Sequence, residues 1–413
     1  MAVPRIRSPL QWKEIFRFTL SLLLFRRPEK AKETIASFEH RFAESRERRH
    51  GVVFCRARMA LYHFLRQSGL QAGEVVISGL HVADFVNIIR LAGFTPVVAD
   101  VEVDGYGIDF ADLDSKVGPQ TRLIYVTHLS GHATDMPRIM TIADRVGALV
   151  VEDCSQALET RFAGRRMGSW GVAAIYSLSL MKSVCTMNGG MLLTDDDAVA
   201  ERLRQCREGL PPPRRLPLAA EAIKNMVLMA ATWRPLFSTL VFPLLRINAK
   251  GGDRFARFQK TNKTVALRNH LPRAFLENYG WQQAQLGLSQ LGTVDAREIR
   301  RIVAAQRMVT EFRPSRSLRL GRVTPDSHNT YWLFPLLASD PSRLREFLAS
   351  RGIDSSPMLL SALSDEEAFL PMAFTGTHAP WTRAHTVFIP VYDDGDVSCV
   401  AAAIREYQDG PYE

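Results

Sequence analysis

From residue 51 to residue 207, short apolar runs rich in β-branched residues alternate with helical runs, and this alternation limits the available folds more than any other feature. The strand-like runs are Val52–Phe54, Glu74–Ile77, Phe94–Val101, Leu123–Thr127, Ala148–Glu152, Ala173–Leu178 and Met191–Thr194. Between them, Met59–Gln67, Val82–Leu91, Met136–Val146 and Ala198–Arg207 have apolar residues at helical spacing. A strand that is apolar along its whole length must be covered on both faces, and the intervening helices are the covers. The pattern therefore predicts an α/β fold with a mostly parallel sheet flanked by helices. The chain has 413 residues, 46% hydrophobic and 23% charged, enough for two or three domains with a large core. That composition excludes a disordered, collagen-like or polytopic membrane chain.

The alternation stops at Leu210-Pro211-Pro212-Pro213. Ala219–Asn248 follows, rich in Leu, Met, Phe and Trp. Its stretch Met226–Leu245 has the length of a membrane span, about 20 residues, but Arg234, Pro235 and Pro243 interrupt it. An interfacial hairpin or a buried insertion suits it better than a span. Gly251-Gly252 closes it. A long helix, Trp281–Phe312, then leads into an α+β region with strand Trp332–Leu337, helix Pro341–Arg351, strand Thr386–Ile389 and helix Val397–Tyr407. The expected division is an arm over residues 1–45, a large domain over 46–262 with an insertion near 211–260, and a smaller domain over 263–413.

The net charge of +9 is uneven. Residues 1–50 hold 12 Lys+Arg and 6 Asp+Glu, and residues 211–275 hold 12 and 2, so the rest of the chain is near −7. Both basic segments are also apolar, a combination suited to an anionic membrane surface, with 12–27 and 219–246 as the contact segments. The alternative is that they pack on each other or across a dimer. No nucleic-acid module accompanies them. Cys55, Cys154, Cys185, Cys206 and Cys399 are odd in number and form no CxxC pair, so neither a disulfide framework nor a metal site is indicated. They fit a reducing cytoplasm, with the inner membrane face as the place of any peripheral contact. Arg17 interrupts the apolar stretch Ile15–Phe25, and Arg26-Arg27 follow without a small-residue cleavage site, so an amphipathic helix is expected there rather than a signal peptide.

Open parallel sheets bind ligands beyond the carboxyl ends of their strands. The polar residues at those positions are Arg56 and Arg58, His81, His128, Asp153 with Gln156, and Ser177, Ser179 and Lys182. Each has a bland alternative. Asp153 either caps a helix or keeps a heterocyclic nitrogen protonated. Lys182 is either a solvated lysine or a desolvated one with a lowered pKa, able to form a Schiff base. Arg56 and Arg58 are surface charges or an anion site at a helix start. His81 is a core or capping histidine or a site residue, and Gly189-Gly190 alone marks a turn. No Walker loop, GxGxxG or GxSxG is present.

Taken in order, these signals resemble a known family. Val151–Ala157 (VEDCSQA), Gly164, Gly168-Ser169-Trp170-Gly171, Ser177–Lys182 (SLSLMK) and Gly189-Gly190 are similar to the E-D-A-A-Q-A, G-x-x-x-G-s-x-G, S-F-H-x-x-K and G-E-G-G motifs of the DegT/DnrJ/StrS sugar aminotransferases. Gly93–Val101, Leu123–Met136, Leu286–Leu291, 329–337 and 386–407 extend the resemblance to about residues 45–410, excluding the insertion.

The resemblance implies a fold type I pyridoxal 5'-phosphate (PLP) enzyme, normally a homodimer. Lys182 matches the Schiff-base lysine and Asp153 the carboxylate paired with the pyridinium nitrogen, which makes the ring a better electron sink. Gln156 matches the residue near the phenolic oxygen, Ser177 a phosphate-binding serine, and His81 the position of a ring-stacking aromatic. Arg56-Ala57-Arg58 stand where the family has S-G-T, so arginine charge replaces hydroxyl hydrogen bonds at the phosphate. Ser179 replaces a histidine, and Asn188 a glutamate. The family's G-y-N-x-R motif is unclear in Phe275–Gly280, where Asn278 is the candidate cofactor contact. His128 and Asn188 are candidate substrate contacts. The implied reaction is ping-pong transfer of an amino group from an amino acid, glutamate in the first instance, to a keto sugar activated by a nucleotide. Two alternatives stay open. One is a PLP enzyme with another reaction or a lipid-linked acceptor, and the other is a membrane-surface binding or regulatory protein on the same fold.

Overall fold

The computed structural model describes residues 1–24, 27–248 and 265–410. Phe25 and Arg26 of the first basic segment, and the insertion beyond 248 with Gly251-Gly252, lie outside the described residues. In chain order the strands of the first half are β1 (His50–Phe54), β2 (Glu74–Ser78), the two-residue β3 (Leu80–His81), β4 (Thr95–Ala99), β5 (Thr121–Thr127), β6 (Leu149–Asp153), the hairpin β7 (Arg161–Phe162) and β8 (Arg165–Arg166), β9 (Ala173–Ser177) and β10 (Gly190–Thr194). Seven of them form one sheet, ordered β1-β10-β9-β6-β5-β2-β4, in which β10 alone runs antiparallel to its neighbours.

Helices cover both faces, as strands buried on both sides require. Among the helices are α1 (Trp12–Ser21), α2 (Pro28–Ser45), α3 (Ala57–Gln67), α4 (Asp84–Leu91), α5 (Phe110–Lys116), α6 (Met136–Val146), α7 (Asp197–Glu208), α8 (Arg215–Ala231) and the long α9 (Trp281–Glu311), of which α1 and α8 pack on each other rather than on the sheet. The period-2 alternation of each strand feeds two cores. Val150, Ala174 and Leu193 face one with Phe38 and Phe42 of α2, whereas Val151, Ile175 and Leu192 face the other with Phe64 of α3 and Ile89 of α4.

The second half adds β11 (Leu318–Leu320), β12 (Ser327–His328), β13 (Phe334–Ala338), β14 (Ser356–Pro357), β15 (Ser361–Ala362), β16 (Thr386–Ile389) and the last helix α10 (Asp394–Asp409). An antiparallel sheet, β11-β13-β16-β14, has its own core. Two short pairings stitch it to the first half, β12 with β7 and β15 with β3.

The expected elements form with shifts of a few residues, apart from three differences. The arm is not an appendage, because α2 puts Ile35, Phe38 and Phe42 into the main core. The start of α9 (Trp281, Ala284) lies in that same core, and its end (Ala304, Ala305, Met308) lies in the small-sheet core, so one helix spans both. The strand expected at Trp332 begins at Phe334, which leaves Trp332 in the preceding turn.

The register of the main sheet decides where the chemistry gathers. Phe54 lies opposite Gly190, Gly190 opposite Ser177, Thr127 opposite Asp153, and Asp153 opposite Ile175. The ends of β1, β5, β6 and β9 therefore share one edge with the start of β10. At that edge Gly190 is pressed against the first turn of α3, where an added Cβ would stand 2.2 Å from the Cα and 2.3 Å from the amide nitrogen of Ala57. A backbone neighbour cannot rotate away. Gly190→Ala is expected to lower stability by about 1–3 kcal/mol through overpacking, read as a reduced urea midpoint at unchanged slope.

Candidate active site

A cavity of about 1440 Å³ opens along that shared edge, and Arg56, His81, Asp153, Gln156, Ser177 and Lys182 are among the residues that line it. Each is delivered by a strand end, so positions scattered over 126 residues of sequence meet in one space.

Lys182 sits in a tight turn that β9 enters and β10 leaves. The Leu178 amide donates to the Gly189 carbonyl at 2.9 Å, and the Thr186 amide donates to the Leu178 carbonyl at 2.8 Å. Met181 and Met187 hold left-handed backbone conformations, with φ of 71° and 70°. For non-glycine residues this strain costs on the order of 1–3 kcal/mol each and tends to occur at functional sites. Burial pushes the Lys182 amine down to about 7, against the pull of the Asp153 carboxylate and with the help of Arg301. The amine lies 3.7 Å from the ring centre of Trp332, whose indole N–H donates to the Met181 carbonyl at 3.1 Å.

Asp153 ends β6 and is almost completely buried. No helix follows it, so the helix-capping alternative falls away. Its Oδ1 accepts from the Ser155 amide at 2.9 Å, and its Oδ2 stands 3.9 Å from His81 Nε2. Burial lowers the His81 pKa below the usual imidazole range even against the attraction of Asp153. The ring is positioned by Thr127 Oγ1 at 3.0 Å from Nε2 and by an edge-on contact with Phe85, centroids 4.5 Å apart. Gln156 accepts the Ser130 amide on Oε1 at 2.7 Å, and Ser177 and Ser179 exchange a 3.0 Å hydrogen bond.

At the other end of the cavity, the α3 N-terminus presents Ala57 behind Arg56. Arg56 Nη1 donates to Asn188 Oδ1 at 3.0 Å, and its guanidinium lies 5.3 Å from the Phe275 ring centre. Its Nε is buried and has no hydrogen-bond partner. A buried, unpaired guanidinium N–H beside a helix N-terminus suits an anion. Asn188 also lines the cavity, and its carbonyl accepts from Gln283 at 2.8 Å.

Three expected residues are placed differently. Arg58 reaches the cavity wall, but its Nη1 donates to Asp84, which also accepts from Arg268 Nε at 3.0 Å. Its charge is thus matched inside the protein. His128 is fully buried and lies behind the wall, with Nε2 3.1 Å from Glu152 Oε2. It does not line the cavity, and the substrate contact expected of it gives way to a structural role. Asn278 also lies outside the cavity lining, with its side-chain oxygen accepting from the Tyr279 amide at 2.7 Å.

His128, Glu152 and Cys154 bring ligand-type atoms within 4.8 Å of one another. Glu152 already receives the amides of Gly168, Trp170 and Gly171 at 2.6–2.9 Å, and burial pushes the Cys154 thiol upward. The trio forms a knot of satisfied groups. Trp332 escaped the sequence reading altogether, because an aromatic at a strand start looks like core. Only the fold brings it over Lys182.

Residues 29–212 match the profile of the DegT/DnrJ/EryC1/StrS aminotransferase family. The chain is 34% identical over 171 residues to the spore coat polysaccharide biosynthesis protein SpsC of Bacillus subtilis, 41% of this chain and 44% of that one. It is 33% identical over 183 residues to a GDP-perosamine synthase of Caulobacter vibrioides, 44% of this chain and 49% of that one. The chain thus spans about half the length of the curated relatives it matches. Across the whole fold it superposes on the S. venezuelae protein DesV, solved in complex with a ketimine intermediate, with TM-score 0.72, 22% identity and coverage of 96% and 95%. That likeness establishes the fold, a fold type I architecture with a smaller α+β domain. Through residues 29–212, the segment that builds the sheet and most of the cavity, the chain is similar to the DegT/DnrJ/EryC1/StrS aminotransferase family.

Proposed function

We propose that the protein is a PLP-dependent aminotransferase that moves an amino group from an amino acid to a keto sugar. The observation that carries this reading is the Lys182 amine, brought down to about 7 by burial, in one cavity with a buried carboxylate and an anion cradle. The residues fit the cofactor. Arg56, with its buried unpaired Nε, the α3 N-terminus and Ser177 would hold the phosphate. Asp153 would hold the ring nitrogen, with His81 and Gln156 flanking. When bound, the cofactor supplies an electrophilic carbonyl and an electron sink for the carbon that loses its proton.

The chain's own groups do the rest. Lys182 is neutral for a large share of the time at physiological pH, so its nitrogen can accept a proton from a substrate carbon and return it to a neighbouring atom. Asp153, almost completely buried, would hold a positive charge on the ring nitrogen of the bound cofactor. A cavity of this size exceeds what the cofactor needs and leaves room for a sugar carrying a further group. We read glutamate as the donor and a nucleotide-activated sugar as the acceptor. We also read the active form as a homodimer, in which Asn278, absent from the cavity of its own chain, meets the site of a second copy.

Incubation with PLP is expected to give a visible absorption band and a higher melting temperature. Lys182→Ala should lose the band and at least about 10³-fold in glutamate–2-oxoglutarate exchange. Exchange by Lys182→Ala at the wild-type rate would overturn the proposal.

The lysine also makes stability depend on pH. Its folded pKa is depressed relative to the unfolded value, so between about 7 and 10.5 the unfolded chain binds the extra proton. The penalty of burying the lysine is full below about 7 and fades as pH rises. Lys182→Met should therefore stabilise the cofactor-free protein by on the order of a few kcal/mol near pH 6 and by much less near pH 10. Paired urea titrations at the two pH values measure this.

A further inference from the structure

The first helix and the insertion leave an apolar face uncovered. On α1, Ile15, Phe18 and Leu22 are buried against Leu218 and Ala222 of α8. The opposite side of α1 exposes Trp12, Phe16 and Leu20 at four-residue spacing, followed by Leu23 and Leu24, each 44–74% exposed. The insertion does the same. Leu216, Ile223 and Val227 of α8 are 56–85% exposed, and Trp233, Leu240 and Leu244 continue the row at 50–64%. Five of these eleven large apolar side chains lie on α1 or just after it, three on α8, which packs on α1, and three at or after Trp233 in the segments that follow α8. Soluble surfaces rarely gather so many without a partner.

The exposed charge around this face is mostly basic. Lys13, Arg17 and Arg246 are exposed there, as is Arg214, which pairs with Glu277. The acids within these elements are turned inward or matched, since Glu14 is buried on its own helix cap and Glu221 pairs with Lys224. Among the described residues no single helix is long and apolar enough to cross a membrane, and the pair Arg215–Ala231 and Arg234–Arg246 bends by 70°. Such a pair lies along a surface more readily than it spans one.

We propose that this face seats on an anionic lipid bilayer, with Trp12, Phe16, Leu20, Ile223, Val227 and Trp233 at the acyl boundary and the four basic residues among the headgroups. A second copy is the poorer occupant, because a two-fold contact sets this basic patch against the same basic patch of the partner. The proposal stands independently of the catalytic reading.

The full-length protein is floated with vesicles of phosphatidylglycerol and phosphatidylcholine, and with phosphatidylcholine alone. It is expected to float with the anionic vesicles at low salt, with a blue shift of tryptophan emission that Trp12→Phe reduces. High salt and Lys13→Glu should each weaken binding, the latter at least about fivefold. Phe16→Glu/Leu20→Glu and, separately, Ile223→Glu should abolish flotation while circular dichroism and elution volume stay as in the wild type. Failure to float on anionic vesicles at low salt would overturn the idea, as would wild-type flotation of both glutamate variants. A glutamate variant that instead splits a dimer into monomers would show that a second copy covers the face.

Discussion

Glu152 holds a carboxylate where water cannot reach it, and four donors converge on it. They are His128 Nε2 at 3.1 Å and the amides of Gly168, Trp170 and Gly171 at 2.6–2.9 Å. Burial alone would raise its pKa, but the His128 hydrogen bond and the Gly168 and Gly171 amides bring it below the usual carboxylate range. This one anion ties the loop after β5 and the loop before β9 to β6. Because successive side chains on a strand point to opposite faces, anchoring Glu152 on one side fixes Asp153 on the other. The rest of the site is hung from that pair.

The same edge also explains why Lys182 can be reactive. Its turn begins at Ser177 and closes at Gly189, next to the Gly190 that abuts α3. The arginine cradle, the lysine and the aspartate thus belong to one rigid frame of strand ends. Desolvation that would be a cost for a structural lysine becomes useful here, because a neutral amine is what proton transfer and attack on a carbonyl both require.

How much of this is legible in the sequence differs by residue. Asp153, Gln156, Ser177 and Lys182 follow apolar strands and could be listed as strand-end groups before any fold was known. Arg56 could be read in the same way, though its unpaired Nε could not. His128 follows a strand too, yet its side chain points into the protein at Glu152, while Leu129 and Ser130 after it line the cavity. Arg58 has a sequence position equivalent to Arg56, but one helical step aims it at Asp84. Trp332 lies 150 residues from Lys182, and no periodicity relates the two.

The basic surplus shows the same division. Residue types alone determined that the arm and the insertion are apolar and cationic, and that Ile15–Phe25 suits an amphipathic helix, because spacing and composition are local properties. They also determined the parallel sheet, since apolar strands demand covers on both faces. Only the tertiary structure decided that α1 buries Ile15 and Phe18 on α8 while leaving Trp12 and Phe16 outside. It also decided which strand-end groups share a cavity. Those outcomes depend on sheet register and on contacts between distant segments, where a side chain's neighbours come from parts of the chain that its own sequence does not name.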